Sequence, residues 1–92
     1  MRVLVIEDND RLAKLVADGL QRRGFSCDIA TTLSDADSAL GGAVYDAIIL
    51  DLGLPDGDGV AWLANRRQYR QMPPAIIQTA KESRASVWTT GA

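Results

Sequence analysis

Two runs of four consecutive apolar residues each end directly in carboxylates, and nothing else in the chain constrains its fold as strongly. Val3-Leu4-Val5-Ile6 runs into Glu7-Asp8, and Ala47-Ile48-Ile49-Leu50 runs into Asp51 and the turn segment Leu52-Gly53-Leu54-Pro55-Asp56-Gly57-Asp58-Gly59. Short, β-branched, uninterrupted apolar runs read as strands buried on both faces, the mark of a parallel sheet. All strands of such a sheet end on one edge. If these two are neighbours, Glu7, Asp8 and Asp51 converge there. Three carboxylates in one small space repel one another and need a bound cation; oxygen-only ligands with open positions suit Mg²⁺.

The rest of the chain alternates strand and helix without an interrupting linker. Asn9 or Asp10 can cap a helix whose apolar positions Leu12, Leu15, Val16, Gly19 and Leu20 repeat with helical period, and Gly24 follows Arg22-Arg23 as its stop signal. A second strand is expected near Phe25 to Ala30. A second helix follows after Thr32, with Leu33, Ala36, Ala39 and Leu40 on one face and Gly41-Gly42 closing it. The third strand is the run into Asp51. A third helix starts at about Asp58, carries Val60, Leu63 and Ala64 inward and ends before Met72-Pro73-Pro74. A fourth strand, Ala75-Ile76-Ile77-Gln78-Thr79, leads to an expected fourth helix from about Lys81 to Thr90. Such alternation with short loops means an α/β layered fold with right-handed crossovers.

Composition narrows the chemistry. At 92 residues and 47% hydrophobic, the chain suits one small domain with a packed core. No stretch approaches the roughly 18 apolar residues that a membrane span needs, and no signal-peptide pattern precedes the first strand. Lone Cys27 cannot form an internal disulfide and fits a reducing compartment, so a cytoplasmic location is expected. A net charge of −2 gives no argument for nucleic-acid binding by this segment. Histidine is absent, which excludes Ser-His-Asp and Cys-His devices and histidine-bearing zinc sites. Carboxylates, hydroxyls, backbone amides and a metal remain.

Taken singly, most of these residues also have a plain structural reading. Acids after strands often cap helices, and Asp58 reads as such a cap. Pro55, Gly57 and Gly59 read as turn chemistry, Thr79 as a β-branched strand residue, Lys81 as a solvated charge, and Trp62 and Trp88 as partly buried packing residues. Asp51 resists this, because a charge directly after four buried apolar residues is costly unless paired or metal-bound.

Glu7-Asp8 after the first strand, the segment Asp51 to Gly59 after the third, and Thr79-Ala80-Lys81 after the fourth together resemble a response-regulator receiver domain. The variant is similar to the receivers of the winged-helix transcription-factor subfamily, and the likeness covers residues 1 to about 82. It implies a flavodoxin-like doubly wound parallel sheet of order 2-1-3-4-5, with the first and third strands side by side and a crevice at the topological switch point. It also implies site roles. Asp51 would be the phosphoacceptor, taking a phosphoryl group from a histidine of a partner sensor kinase. Asp8 would ligate Mg²⁺ directly and Glu7 through water, the Gly53 carbonyl would be a further ligand, and Thr79 would be the switch hydroxyl.

The resemblance weakens over 81–92. The family continues into a fifth strand, a lysine followed by proline and a fifth helix, none of which is expected here; Lys81 stands too early to be that lysine. The expectation is therefore one receiver domain over 1–92, incomplete at its C-terminus, with a sheet of order 2-1-3-4. Strand four would form an uncovered apolar edge, a template for pairing with another chain, so a homodimer is expected. The resulting reading is a phosphorylation-controlled signalling module rather than an enzyme, switching a DNA-binding output domain absent from this chain. The alternatives are a Mg²⁺-dependent aspartyl-phosphate phosphotransferase or phosphatase of the haloacid-dehalogenase type, and a truncated structural module unable to signal. The former wants a second acid two residues after its nucleophile, where this chain has Gly53.

Overall fold

Parallel pairing of the two apolar runs builds the centre of the molecule. The computed structural model describes residues 1–51, 54–69, 72–79 and 84–88. Its elements are β1 (Arg2–Ile6), α1 (Asp10–Gln21), β2 (Ser26–Ala30), α2 (Leu33–Gly42), β3 (Ala47–Asp51), α3 (Gly59–Tyr69), β4 (Ala75–Thr79) and β5 (Arg84–Trp88). One sheet runs in the order β2-β1-β3-β4-β5. The first four strands are parallel, as expected, and β5 is antiparallel to β4.

Side chains alternate across the strands, so each apolar run feeds two cores. Leu4, Ile6, Ile48 and Leu50 point to the face covered by α2 and α3, where they meet Leu33, Ala36, Leu54 and Leu63. Val3 and Val5 point to the face covered by α1, where they meet Ala13, with Val16, Leu20 and Phe25 packed around them. This is the doubly wound arrangement. On α1 the inward residues are Ala13, Val16, Ala17 and Leu20, whereas Leu12 and Leu15 stand out at 37% and 63% exposure. Part of the apolar stripe read from the sequence thus faces away from the core. Small Ala13 and Ala17 let the helix lie close on β1 and β2.

Helix starts follow the sequence expectations closely. Asn9 caps α1, accepting from the Leu12 amide at 3.2 Å, and Thr32 caps α2, accepting from the Asp35 amide at 3.0 Å. Asp58 caps α3, with one carboxylate oxygen 2.9 Å from the Val60 amide. Gly59, the first residue of α3, is buried against the end of β3. A Cβ there would lie 3.2 Å from Leu50 Cδ1 and 3.3 Å from the Asp51 carbonyl oxygen. Its role is close approach, beyond the turn chemistry expected of it.

Two expectations are corrected at the C-terminal end. The segment read as a helix from Lys81 to Thr90 contains the strand β5, Arg84–Trp88, paired antiparallel with β4 from Thr79↔Arg84 to Ala75↔Trp88. The edge of β4 is consequently covered, and the sheet has a fifth strand where none was expected. The physical reasons lie in the chain itself. Arg84-Ala85-Ser86-Val87-Trp88 alternates with period two and has no helical stripe. Four residues separate it from β4, too few for a parallel crossover but enough for an antiparallel return. The backbone groups of β4 gain partners by that return. Gly53 and Lys81 lie outside the described residues.

Close packing of Gly59 yields a test. Leu50 is fully buried and the Asp51 carbonyl belongs to a paired strand, so neither neighbour can retreat. Gly59→Ala is expected to lower stability by about 1–2 kcal/mol, despite alanine's better helix propensity. Urea denaturation followed by far-ultraviolet circular dichroism measures this. An unchanged or higher midpoint would show that the helix start can move away from β3.

Candidate metal centre

Register, rather than loop conformation, brings the acids together. In the β1–β3 ladder Ile6 stands beside Leu50, so the next residue on each strand is Glu7 and Asp51 respectively. The Glu7 amide still donates to the Ala30 carbonyl of β2, at 2.9 Å, which holds it at the sheet edge. Asp8 follows, exposed, immediately before the Asn9 cap. Each of Glu7, Asp8 and Asp51 offers an oxygen within 4.8 Å of those of the other two. Glu7 and Asp51 are only 6% and 7% exposed, so neither can shed its charge into bulk water.

Electrostatics register this crowding. Burial pushes the Glu7 carboxyl up to about 7. The Asn9 amide, donating to Glu7 Oε1 at 3.1 Å, pulls in the opposite direction. The negative charge of Asp51 and hydrogen bonds to Asp51 and Asp8 add to the rise. A glutamate so placed takes up either a proton or a share of a cation. The donor set is all oxygen, compact and open to solvent through Asp8. Such a set fits a hard divalent ion with water completing its shell, and Mg²⁺ in particular. Position before the N-terminus of α1 offers these anions some compensation from the helix dipole.

Other site residues fall at the same edge to different degrees. Asp51 pairs with Gln78 in the β3–β4 ladder, which sets Thr79, the last residue of β4, one step beyond on the strand flanking β3. The segment 54–58 is held by its own side chains. Leu54 is buried in the core, and the Asp56 carboxylate accepts from the Leu33 amide at 2.8 Å and the Ser34 amide at 3.1 Å. Both amides hold its carboxyl below the usual carboxylate range, Leu33 most strongly. Sequence reading missed this contact. A Pro-Asp-Gly triplet reads as local turn chemistry, and the partner lies 23 residues away.

The profile of the response regulator receiver domain family matches residues 3–90. The transcriptional regulatory protein PmrA of Pectobacterium parmentieri is 40% identical over 82 residues, which are 89% of this chain and 37% of that protein. The chain thus spans under two-fifths of the length of such relatives. Among solved structures, the receiver domain of the Francisella response regulator 1452 superposes with a TM-score of 0.81 at 27% identity, covering 89% of this chain and 68% of that one. A response regulator protein from Burkholderia pseudomallei, solved with a phosphorylated aspartic acid, calcium ion and citrate, gives a TM-score of 0.77 at 28% identity, covering 85% of this chain and 46% of that one.

The raised Glu7 pKa makes stability depend on pH when no divalent ion is available. The unfolded chain ionises Glu7 near its ordinary value of 4.5 and the folded chain near 7. Its contribution is therefore fully favourable below the lower value, declines through that window, and is lost above it. In EDTA, Glu7→Gln is expected to melt higher than the parent at pH 8, by about 1–3 kcal/mol. The gap should close by pH 4.5. Thermal melts across that range measure it, and a pH-independent gap would show that Glu7 is not held protonated by its surroundings.

Proposed function

Because the chain belongs to the response regulator receiver domain family of two-component systems, we propose that Asp51 is its phosphoacceptor. The observation that carries this reading is the position of Asp51, buried at the end of β3 with Glu7 and Asp8 oxygens within 4.8 Å. The relative from Burkholderia pseudomallei, which carries a phosphorylated aspartic acid and a calcium ion, supports it. An Asp51 carboxylate oxygen attacks the phosphorus of a phosphohistidine on a sensor kinase. The new O–P bond forms as the P–N bond breaks, and the electron pair leaves with the imidazole nitrogen. No general base is required, since the nucleophile is already an anion.

Asp8 is proposed to hold Mg²⁺ directly, Glu7 through water, and the Gly53 carbonyl and Asp51 to complete the protein ligands. Bound Mg²⁺ supplies charge neutralisation for the transferring phosphoryl oxygens. Thr79 is proposed as the hydroxyl that meets the phosphoryl group once it is on Asp51. A phosphoryl group brings close to two negative charges to the sheet edge. A hydroxyl donor one step along the neighbouring strand can convert that local charge into a shift of surface. A cytoplasmic location and a DNA-binding output domain elsewhere in the longer protein complete the reading, in keeping with the transcriptional regulators among its relatives. No helix among the described residues is long and apolar enough to cross a membrane. Nothing in the family match favours the haloacid-dehalogenase alternative.

Incubation with acetyl phosphate and Mg²⁺, followed by intact-mass measurement, tests the assignment. One added phosphoryl group is expected on the parent, none on Asp51→Ala, and greatly slowed addition on Asp8→Asn. A phosphorylated Asp51→Ala protein would assign the acceptor elsewhere. An unmodified parent would leave only the structural-module reading.

Self-association is proposed as well, on a different edge from the one the sequence suggested. With β4 covered, the outermost strand on that side among the described residues is β5, and an outer backbone row is a template for a second chain. Sedimentation velocity over a wide concentration range is expected to show a reversible dimer. A monomer throughout would mean that β5 closes the sheet.

A further inference from the structure

A cavity of about 180 Å³ opens at the edge of the sheet opposite the carboxylates. Leu40, Ala43 and Val44 at the end of α2 form one wall, and Arg66 of α3 forms another. Tyr45, just before β3, and the Met72-Pro73 segment before β4 complete it. Tyr45 and Met72 are buried members of the main core cluster, and Leu40 and Ala43 pack against that cluster. The Tyr45 hydroxyl is engaged by Asp28 at 2.6 Å. The lining is therefore mostly apolar, with an aromatic ring and a thioether, two groups that favour aromatic neighbours. An apolar cavity of about 150 Å³ holds a molecule the size of benzene. Val44, at 88% exposure, leaves a way in from solvent.

Arg66 gives this cavity its one demand. The guanidinium pairs with Asp37 and lies 5.7 Å from the centre of the Trp62 ring, while the Trp62 indole donates to Asp37 at 2.9 Å. It is thus held from two sides before any ligand arrives. Its Nε is buried, and among the described residues it has no hydrogen-bond partner. A buried donor left unpaired is costly, more so in a charged group. Asp37 already offsets the Arg66 charge, so the wall calls for an acceptor oxygen and not for a second anion, which Asp37 would repel.

We propose that this cavity binds a small uncharged molecule with an apolar body and one hydrogen-bond acceptor, an aryl ketone or amide in class. Its ring lies among Leu40, Tyr45 and Met72, and its oxygen accepts from Arg66. Asp51 ends β3 at the other edge of the sheet, so this site stands whether or not Asp51 is a phosphoacceptor.

Three probes test it on the full chain, followed by amide and methyl chemical shifts: acetophenone, α-methylstyrene (the same shape without the oxygen) and benzoate. Acetophenone is expected to shift the resonances of Leu40, Val44 and Met72. It should bind roughly ten-fold more tightly than α-methylstyrene, as a hydrogen bond to a charged group implies. Benzoate should bind no more tightly than acetophenone. Arg66→Lys keeps a cation for Asp37 but has no Nε, and Arg66→Met keeps only an apolar stem. Both are expected to bind α-methylstyrene as the parent does and to lose the preference for acetophenone. Ala43→Leu adds bulk to the wall and should weaken both probes. Equal affinity of the parent for acetophenone and α-methylstyrene overturns the proposal, and so does a preference that survives in the Arg66 variants. Shifts centred away from the cavity, or parental affinities in Ala43→Leu, place the probes elsewhere and overturn it too. Tighter binding of benzoate would overturn the uncharged class. If one Arg66 variant does not fold, as judged by circular dichroism, the other decides.

Discussion

Everything at the working edge of this molecule depends on the β1–β3 register that sets Ile6 beside Leu50. That pairing is fixed by the apolar residues, since a slip of one would turn each strand's inward set to the wrong face. Once the register is set, Glu7 and Asp51 must emerge side by side, whatever the electrostatic cost. Hydrophobic burial of residues such as Leu4, Ile6, Ile48 and Leu50, all fully buried, is worth roughly 1.5–3 kcal/mol for each side chain. Protonation of Glu7, whose carboxyl is raised to about 7, relieves part of the cost of crowding the two carboxylates.

Loops turn this edge into a site. The segment from Leu54 to Gly59 is pinned by a buried leucine, a carboxylate on two amides, a glycine against Leu33 and a glycine against the Asp51 carbonyl. Helices α2 and α3 are also tied to each other further from the edge. Asp37 accepts from the Trp62 indole at 2.9 Å and pairs with Arg66, whose guanidinium lies 5.7 Å from the Trp62 ring centre. One loop therefore hangs between two helices that are braced independently of it.

Much of this was legible in the chain. The apolar runs gave the strands, and caps at Asn9, Thr32 and Asp58 follow from the preference of short polar side chains for free helix amides. Convergence of Glu7, Asp8 and Asp51 followed from parallel topology once the first and third strands were neighbours, which the family resemblance implied and the β1–β3 pairing bears out. The failures have identifiable causes. Leu12 and Leu15 were grouped with the inward stripe, but helical period cannot say which edge of a wide apolar face turns outward, and the alanines at 13 and 17 took the core. The strand β5 was read as helix because the strand–helix alternation of the preceding chain was extended into a segment whose own period-two pattern does not support it. The Asp56 contact was invisible, since a local turn signal carries no information about an amide 23 residues away.

A comparison with the opposite end of the sheet shows how placement decides what a carboxylate does. Asp28 of β2 accepts from the Tyr45 hydroxyl at 2.6 Å and from Arg2 Nε at 3.0 Å, while Arg2 also stacks over the Tyr45 ring. The Tyr45 bond, then Arg2, holds the Asp28 carboxyl below the usual range. Its contribution to stability is present above the unfolded pKa and is lost as pH falls through the folded one. Glu7 shifts in the reverse direction, and its cost appears as pH rises. The two ends of one sheet are therefore destabilised by opposite changes in acidity. At the Asp28 end every charge has a partner and there is nothing left for a ligand to supply; being surface-exposed, that cluster contributes modestly. At the Glu7 end the described residues bring three acids together, and a divalent cation is the simplest species that satisfies all three.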